Sequence, residues 1–103
     1  MGRVMKRLFF EREVDSFAEL VEEVGLLDLD SGIRAFVDFE GRRQLLFVTR
    51  SPHDSYTLMV YERKAGRGTS VGKRLLVKEF RKENDLTGFM KGILSRPVKA
   101  FVY

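Results

Sequence analysis

Few side chains in this chain are suited to catalysis. His53 is the single histidine, and there is no cysteine. Asp54 stands beside it, a pairing a hydrolase would use to orient a general base. A metal site or an activated nucleophile needs more, either a thiol or a second imidazole at ligand spacing, and the sequence offers neither. Ser51-Pro52-His53-Asp54 therefore reads as a turn. Asp28 with Asp30, and Asp38 with Glu40, are spaced as acid–base pairs would be, but both pairs fall at strand or turn positions near glycine, where short carboxylates serve turns. Gly66 to Lys73 invites comparison with a phosphate loop. The Walker pattern requires four residues between its first glycine and a Gly-Lys pair, then Ser or Thr. Gly66 and Gly72 have five residues between them, Gly68 and Gly72 have three, and Arg74 follows Lys73. The loop fails the pattern. No catalytic constellation, metal site or cofactor fingerprint emerges, and the reading is of a protein that binds without catalysing.

A different group carries binding chemistry. Residues 1–50 hold 8 Lys/Arg and 10 Asp/Glu, whereas residues 51–103 hold 11 and 5, so the net charge of +4 arises wholly from the second half. Such asymmetry suggests a basic surface directed at an anionic partner. Interleaved with these bases are nine phenylalanines and three tyrosines.

The elements that position these residues are legible from periodicity. The 103 residues fit one domain, residues 1–103. No run approaches the roughly 18 apolar residues of a membrane span, and the start lacks a signal-peptide stretch, so the expectation is a cytoplasmic protein. Met5 to Val14 reads as a strand. Ser16 with Glu19 three residues on forms a capping box, and Phe17, Leu20, Val21 and Val24 make one apolar stripe, so a helix runs to Gly25. Three strands of period two follow: Ile33 to Phe39, Gln44 to Thr49 and Tyr56 to Arg63, with a tight turn at Glu40-Gly41. Ala65 to Arg74, rich in glycine and base, reads as a mobile loop. Leu75 to Phe80 is a fifth strand. Asn84 or Asp85 caps a second helix with Leu86, Phe89, Met90 and Ile93 on one stripe, Ser95-Arg96-Pro97 ends it, and Val98 to Tyr103 closes the chain as a strand. Gly88 and Gly92 on that helix suggest close packing against the sheet or another copy. The order β-α-β-β-β-β-α-β predicts an α+β fold: a mainly antiparallel sheet of five to six strands with two amphipathic helices on one face.

Alternation splits each strand into two lists. One is almost purely apolar (Ile33, Ala35, Val37, Phe39; Leu46, Val48; Tyr56, Leu58, Val60) and belongs under the helices. The other mixes rings with bases: Arg34, Phe36 and Asp38; Arg43, Leu45, Phe47 and Thr49; Thr57, Met59, Tyr61 and Arg63. The flanking strands extend it with Arg7 and Phe9, with Arg74, Leu76, Lys78 and Phe80, and with Lys99, Phe101 and Tyr103. So much apolar area on an open face requires a cover. Single-stranded nucleic acid fits, because rings stack on bases and arginines neutralise phosphates. In this reading Phe36, Phe47 and Tyr61 stack, and Arg34, Arg43, Arg63 and Lys78 hold phosphates. Arg67, Lys73 and Arg74 form a mobile clamp. The same residue mix also suits a homo-oligomer or other protein interface, or a second core covered by the chain itself.

Abundant Arg, Lys and Glu with scarce Asn and Gln resemble a hyperthermophile's composition. Together with the Phe36/Phe47/Tyr61 face and its basic flanks, this resembles the ThermoDBP-like single-stranded DNA-binding proteins of archaea. The resemblance covers most of the chain as architecture and composition, without a shared motif, so no family residue is carried over. It implies a compact α/β domain, distinct from an OB-fold, that holds a single strand in a hydrophobic cleft flanked by bases. The sequence shows no counterpart of the C-terminal helical extension that dimerises the founding members.

Overall fold

The structure, a computed structural model, describes residues 12–63 and 71–103. The elements are β1 (Arg12–Val14), α1 (Phe17–Gly25), β2 (Gly32–Phe39), β3 (Arg42–Ser51), β4 (Ser55–Arg63), β5 (Val71–Phe80), α2 (Glu83–Ile93) and β6 (Ala100–Val102). The fold is α+β, with one antiparallel six-stranded sheet in the order β1-β6-β2-β3-β4-β5. Of the expected first strand, Met5 to Glu11 lies outside the described residues.

Local chemistry accounts for most boundaries. Ser16 caps α1, its Oγ accepting the Glu19 N–H at 3.2 Å. The Arg12 guanidinium bonds Glu23, tying β1 to α1, and the carboxylate holds the Arg12 pKa above its ordinary value. At the β2–β3 turn both central residues have positive φ, Glu40 at 54° and Gly41 at 80°. That is the primed turn whose twist matches a two-residue hairpin. Between β3 and β4, Asp54 also has positive φ (56°), and its carboxylate accepts from Arg50 at 2.9 Å. Helix α2 starts earlier than expected. Lys82, not Asn84 or Asp85, is the N-cap, and its carbonyl accepts from Asp85 and Leu86. No side chain caps this end, and Glu83 and Asp85 in the first turn oppose the positive end of the helix dipole instead.

Both helices cover one face of the sheet. The fully buried Leu20 and Val24 of α1 and Leu86 and Met90 of α2 pack with Ile33, Val37, Leu46, Val48, Leu58 and Val60 into the main core. Gly88 and Gly92 do not pack closely against the sheet: both are exposed, and an added Cβ at either meets nothing within 4 Å. The chain returns along β2 after α2. Leu94 bridges Val37, and the Ser95 N–H donates to the Phe36 carbonyl at 3.1 Å, before a cis Arg96-Pro97 bond leads into β6. Gln44, buried on the core side, accepts the Arg63 N–H at 3.1 Å where the β3–β4 ladder ends. Among the described residues no buried side-chain polar atom lacks a partner, and no helix is long and apolar enough to cross a membrane.

Candidate nucleic-acid interface

Cross-strand partners in an antiparallel sheet point to the same side, so the register reads out the face away from the helices. One row runs Glu13, Phe101, Arg34, Phe47, Met59, Val77 across β1, β6, β2, β3, β4 and β5. The next runs Phe36, Leu45, Tyr61, Arg74. Asp38 pairs Arg43 one step further out. The structure thus brings Arg34, Phe36, Arg43, Phe47, Tyr61, Arg63 and Arg74 together on one surface.

The surface is graded along the strands. At the end where β4 leaves and β5 enters, Arg43 and Arg63 both lie over the Phe36 ring, at 5.7 and 5.3 Å from its centroid. Arg74 sits across from Tyr61. All three arginines are exposed, and none forms a salt bridge among the described residues. In the middle, Phe47 meets Tyr61 edge-on, with centroids 5.7 Å apart and planes at 80°. The Tyr61 hydroxyl points to the Met59 sulfur at 3.9 Å. Arg34 lies over Phe101 at 4.7 Å. The opposite end is hydroxylic: Ser51 bonds Thr57, and Ser55 donates to Glu79. Here Tyr103 exchanges backbone hydrogen bonds with Gly32, and its ring occupies the space a Cβ at Gly32 would need.

The open face is less bare than alternation alone suggests. Leu45 is only 3% exposed, and Phe36, Phe47, Met59, Tyr61 and Phe101 are half-buried. Guanidinium groups over Phe36 and Phe101 and the edge-to-face pair already shield much of the ring area.

Two site expectations are corrected. Lys78 is on the helix side. It pairs Leu58 of the core, and its exposed Nζ lies 5.7 Å from both the Phe80 and the Phe89 rings. The cause is a bulge: Leu76 pairs Val60 but Arg74 pairs Tyr61, so Leu75 is extra and the alternation inverts. Leu76 and Phe80 accordingly pack on the main core and Val77 faces outward, the reverse of the expected split. The second correction concerns the clamp. Lys73 and Arg74 do not belong to a free loop, because β5 begins at Val71, which pairs Arg63. The Lys73 N–H donates to Glu62 Oε1 at 3.4 Å, and Gly72 admits that carboxylate where a Cβ would stand 2.6 Å from it. Arg67 and Lys64, with Gly66 and Gly68, lie outside the described residues, as do Arg7 and Phe9.

Phe101 joins the surface although periodicity placed it only on a flanking strand. The Lys99-Phe101-Tyr103 alternation carried that signal, and insertion of β6 between β1 and β2 makes it count. Lys99 itself bonds Glu13 at 3.0 Å. Among the paired carboxylates, Asp28 accepts the Leu29 N–H at 3.3 Å in a loop that Ser31 closes through the Asp28 backbone, and Asp38 accepts from Ser95 at 3.1 Å. No cluster of potential metal ligands occurs among the described residues. Comparison with protein-family models, curated proteins and solved structures returns no match to this chain.

Proposed function

We propose that this chain is a non-catalytic, sequence-tolerant binder of single-stranded nucleic acid, DNA in preference, acting in the cytoplasm through the open face of its sheet. One observation carries the reading. Phe36, Phe47, Tyr61 and Phe101 share that face with Arg34, Arg43, Arg63 and Arg74, on the side opposite both helices. Rings between cations suit a polyanion whose bases each offer a stacking surface. The arginines at the β4–β5 end would anchor the backbone. This reading is in keeping with the resemblance to the ThermoDBP-like proteins. Fluorescence anisotropy with labelled oligo-dT and a matched duplex, at low and moderate salt, tests it. Salt-sensitive binding to the single strand over the duplex is expected, and no binding at low salt would remove it.

A second reading is that protein covers the same face, as a homo-oligomer or in a larger complex, because its mix of aromatic rings, Met59 and arginines is equally the composition of a protein interface. A mass that rises with concentration and falls on Phe47→Glu, without oligonucleotide binding, would select this alternative.

A further inference from the structure

Five large apolar residues are well exposed among those described, and four of them fall into two groups of opposite charge. Leu26 (74% exposed) and Leu29 (61%) stand on the connection between α1 and β2 with Asp28 and Asp30, and with Glu22 on the adjoining turn of α1. Arg50 lies in the same region, donating to the Leu27 carbonyl at 3.3 Å and pairing with Asp54, which leaves Glu22, Asp28 and Asp30 as the excess charge. A hollow of about 180 Å³ opens beside Leu29, with Asp28 and Asp54 on its rim. The second group is on β5: Val71 (38%) and Val77 (46%) with exposed Lys73, Arg74 and Lys78, followed by exposed Arg81 and Lys82. Two anions lie close by, Glu79, engaged by Ser55, and Glu62, which accepts the Lys73 N–H, and they leave the group with an excess of positive charge.

These groups cannot meet within one chain. The acidic connection enters β2, three strands from β5, and strands stand about 4.8 Å apart, so roughly 14 Å of sheet separates them. β5 is also the sheet edge among the described residues, with one side of its backbone unpaired. Pairing β5 with β5 of another copy would bring Lys73, Arg74 and Lys78 of both strands together. An acidic, apolar surface removes that repulsion and covers Val71 and Val77.

We infer that the Leu26/Asp28/Leu29/Asp30 connection of one copy docks against the basic edge strand β5 of a second copy. The contact is heterologous, so each copy keeps one surface unused and assembly proceeds head to tail into chains or a closed ring. It spares Phe36, Phe47 and Tyr61 but covers Arg74 and Val77 at the β5 margin of the open face, so it is measured without nucleic acid.

The test is sedimentation of the full chain without nucleic acid, with two variants: Leu26→Ser/Leu29→Ser and Val77→Glu. Both alter exposed side chains, and circular dichroism verifies that each is folded. The wild type should grow in mass with concentration at low salt and shrink at high salt. Each variant alone should self-associate at least about tenfold more weakly. Mixed one to one, they should form a heterodimer and nothing longer, because each still owns one intact surface. A wild type that stays monomeric, variants that assemble like the wild type, or a mixture that stays monomeric would each overturn the inference.

Discussion

Replacing Arg43, Arg63 and Arg74 together by glutamine separates the proposed phosphate anchor from general basicity. Each bound phosphate contributes about −0.7 to the slope of log K against log salt for a single strand. With Arg34, the open face offers four arginines, so the slope is about −2.8 if each neutralises one phosphate. Raising salt fourfold should then weaken the wild type by about fifty-fold. The triple variant, left with Arg34, has a slope near −0.7 and should weaken by only about threefold. Lys78→Gln is the control. It removes the same unit charge from the same strand, but from the helix side, where Lys78 lies over Phe80 and Phe89. Its slope should match the wild type. Arg43 and Arg63 also contact the Phe36 ring, so the triple variant should lose about 1–2 kcal/mol of stability, measurable by denaturation and small enough to leave it folded. Anisotropy titrations of labelled oligo-dT at several salt concentrations provide the slopes. An unchanged slope in the triple variant, or a slope flattened by about 0.7 in Lys78→Gln, would refute the assignment of phosphate contacts to this face.

Three further outcomes follow from packing. Gly88→Ala and Gly92→Ala should each stabilise the protein by about 0.5–1 kcal/mol, since an added methyl meets open space on α2. Destabilisation in urea would mean that these glycines seat a contact with another molecule. Leu45→Ala should cost about 2–5 kcal/mol despite its place on the open face, because the side chain is buried. A loss below about 1 kcal/mol would show that its surroundings collapse or are wet. Glu40→Asn should raise stability by about 1 kcal/mol, because Asn tolerates the positive φ at the first turn position better than Glu. A lower melting temperature would contradict the turn geometry.

Much of the fold was legible because its signals are local. The Ser16 cap, the α1 stripe, the Glu40-Gly41 turn and the period-two meander each depend on residues within a few positions of one another. Periodicity also separated the core list from the ring-and-base list in β2, β3 and β4, where no bulge interrupts the expected alternation. It failed in β5. The bulge at Leu75 answers to pairing with β4 and leaves no mark in the alternation of β5 itself, so Lys78 was placed on the wrong side. The start of β5 was missed for a related reason. Val71-Gly72-Lys73-Arg74 has no strand-like periodicity, and only Arg63, Tyr61 and the Glu62 carboxylate across the ladder hold it extended.

Sequence alone determined the two helices, a sheet of five to six strands, the absence of thiol chemistry and the charge imbalance between the two halves, since these follow from residue type and near-neighbour spacing. Tertiary structure decided which residues share a surface. Insertion of β6 between β1 and β2 set Phe101 beside Arg34. The bulge put Lys78 on the helix side of the sheet and left Arg74 facing Tyr61. Leu45 is buried although its strand position faces away from the helices. Strand order, register and side-chain burial are set by contacts between segments far apart in the chain, and no local pattern encodes which segments will meet.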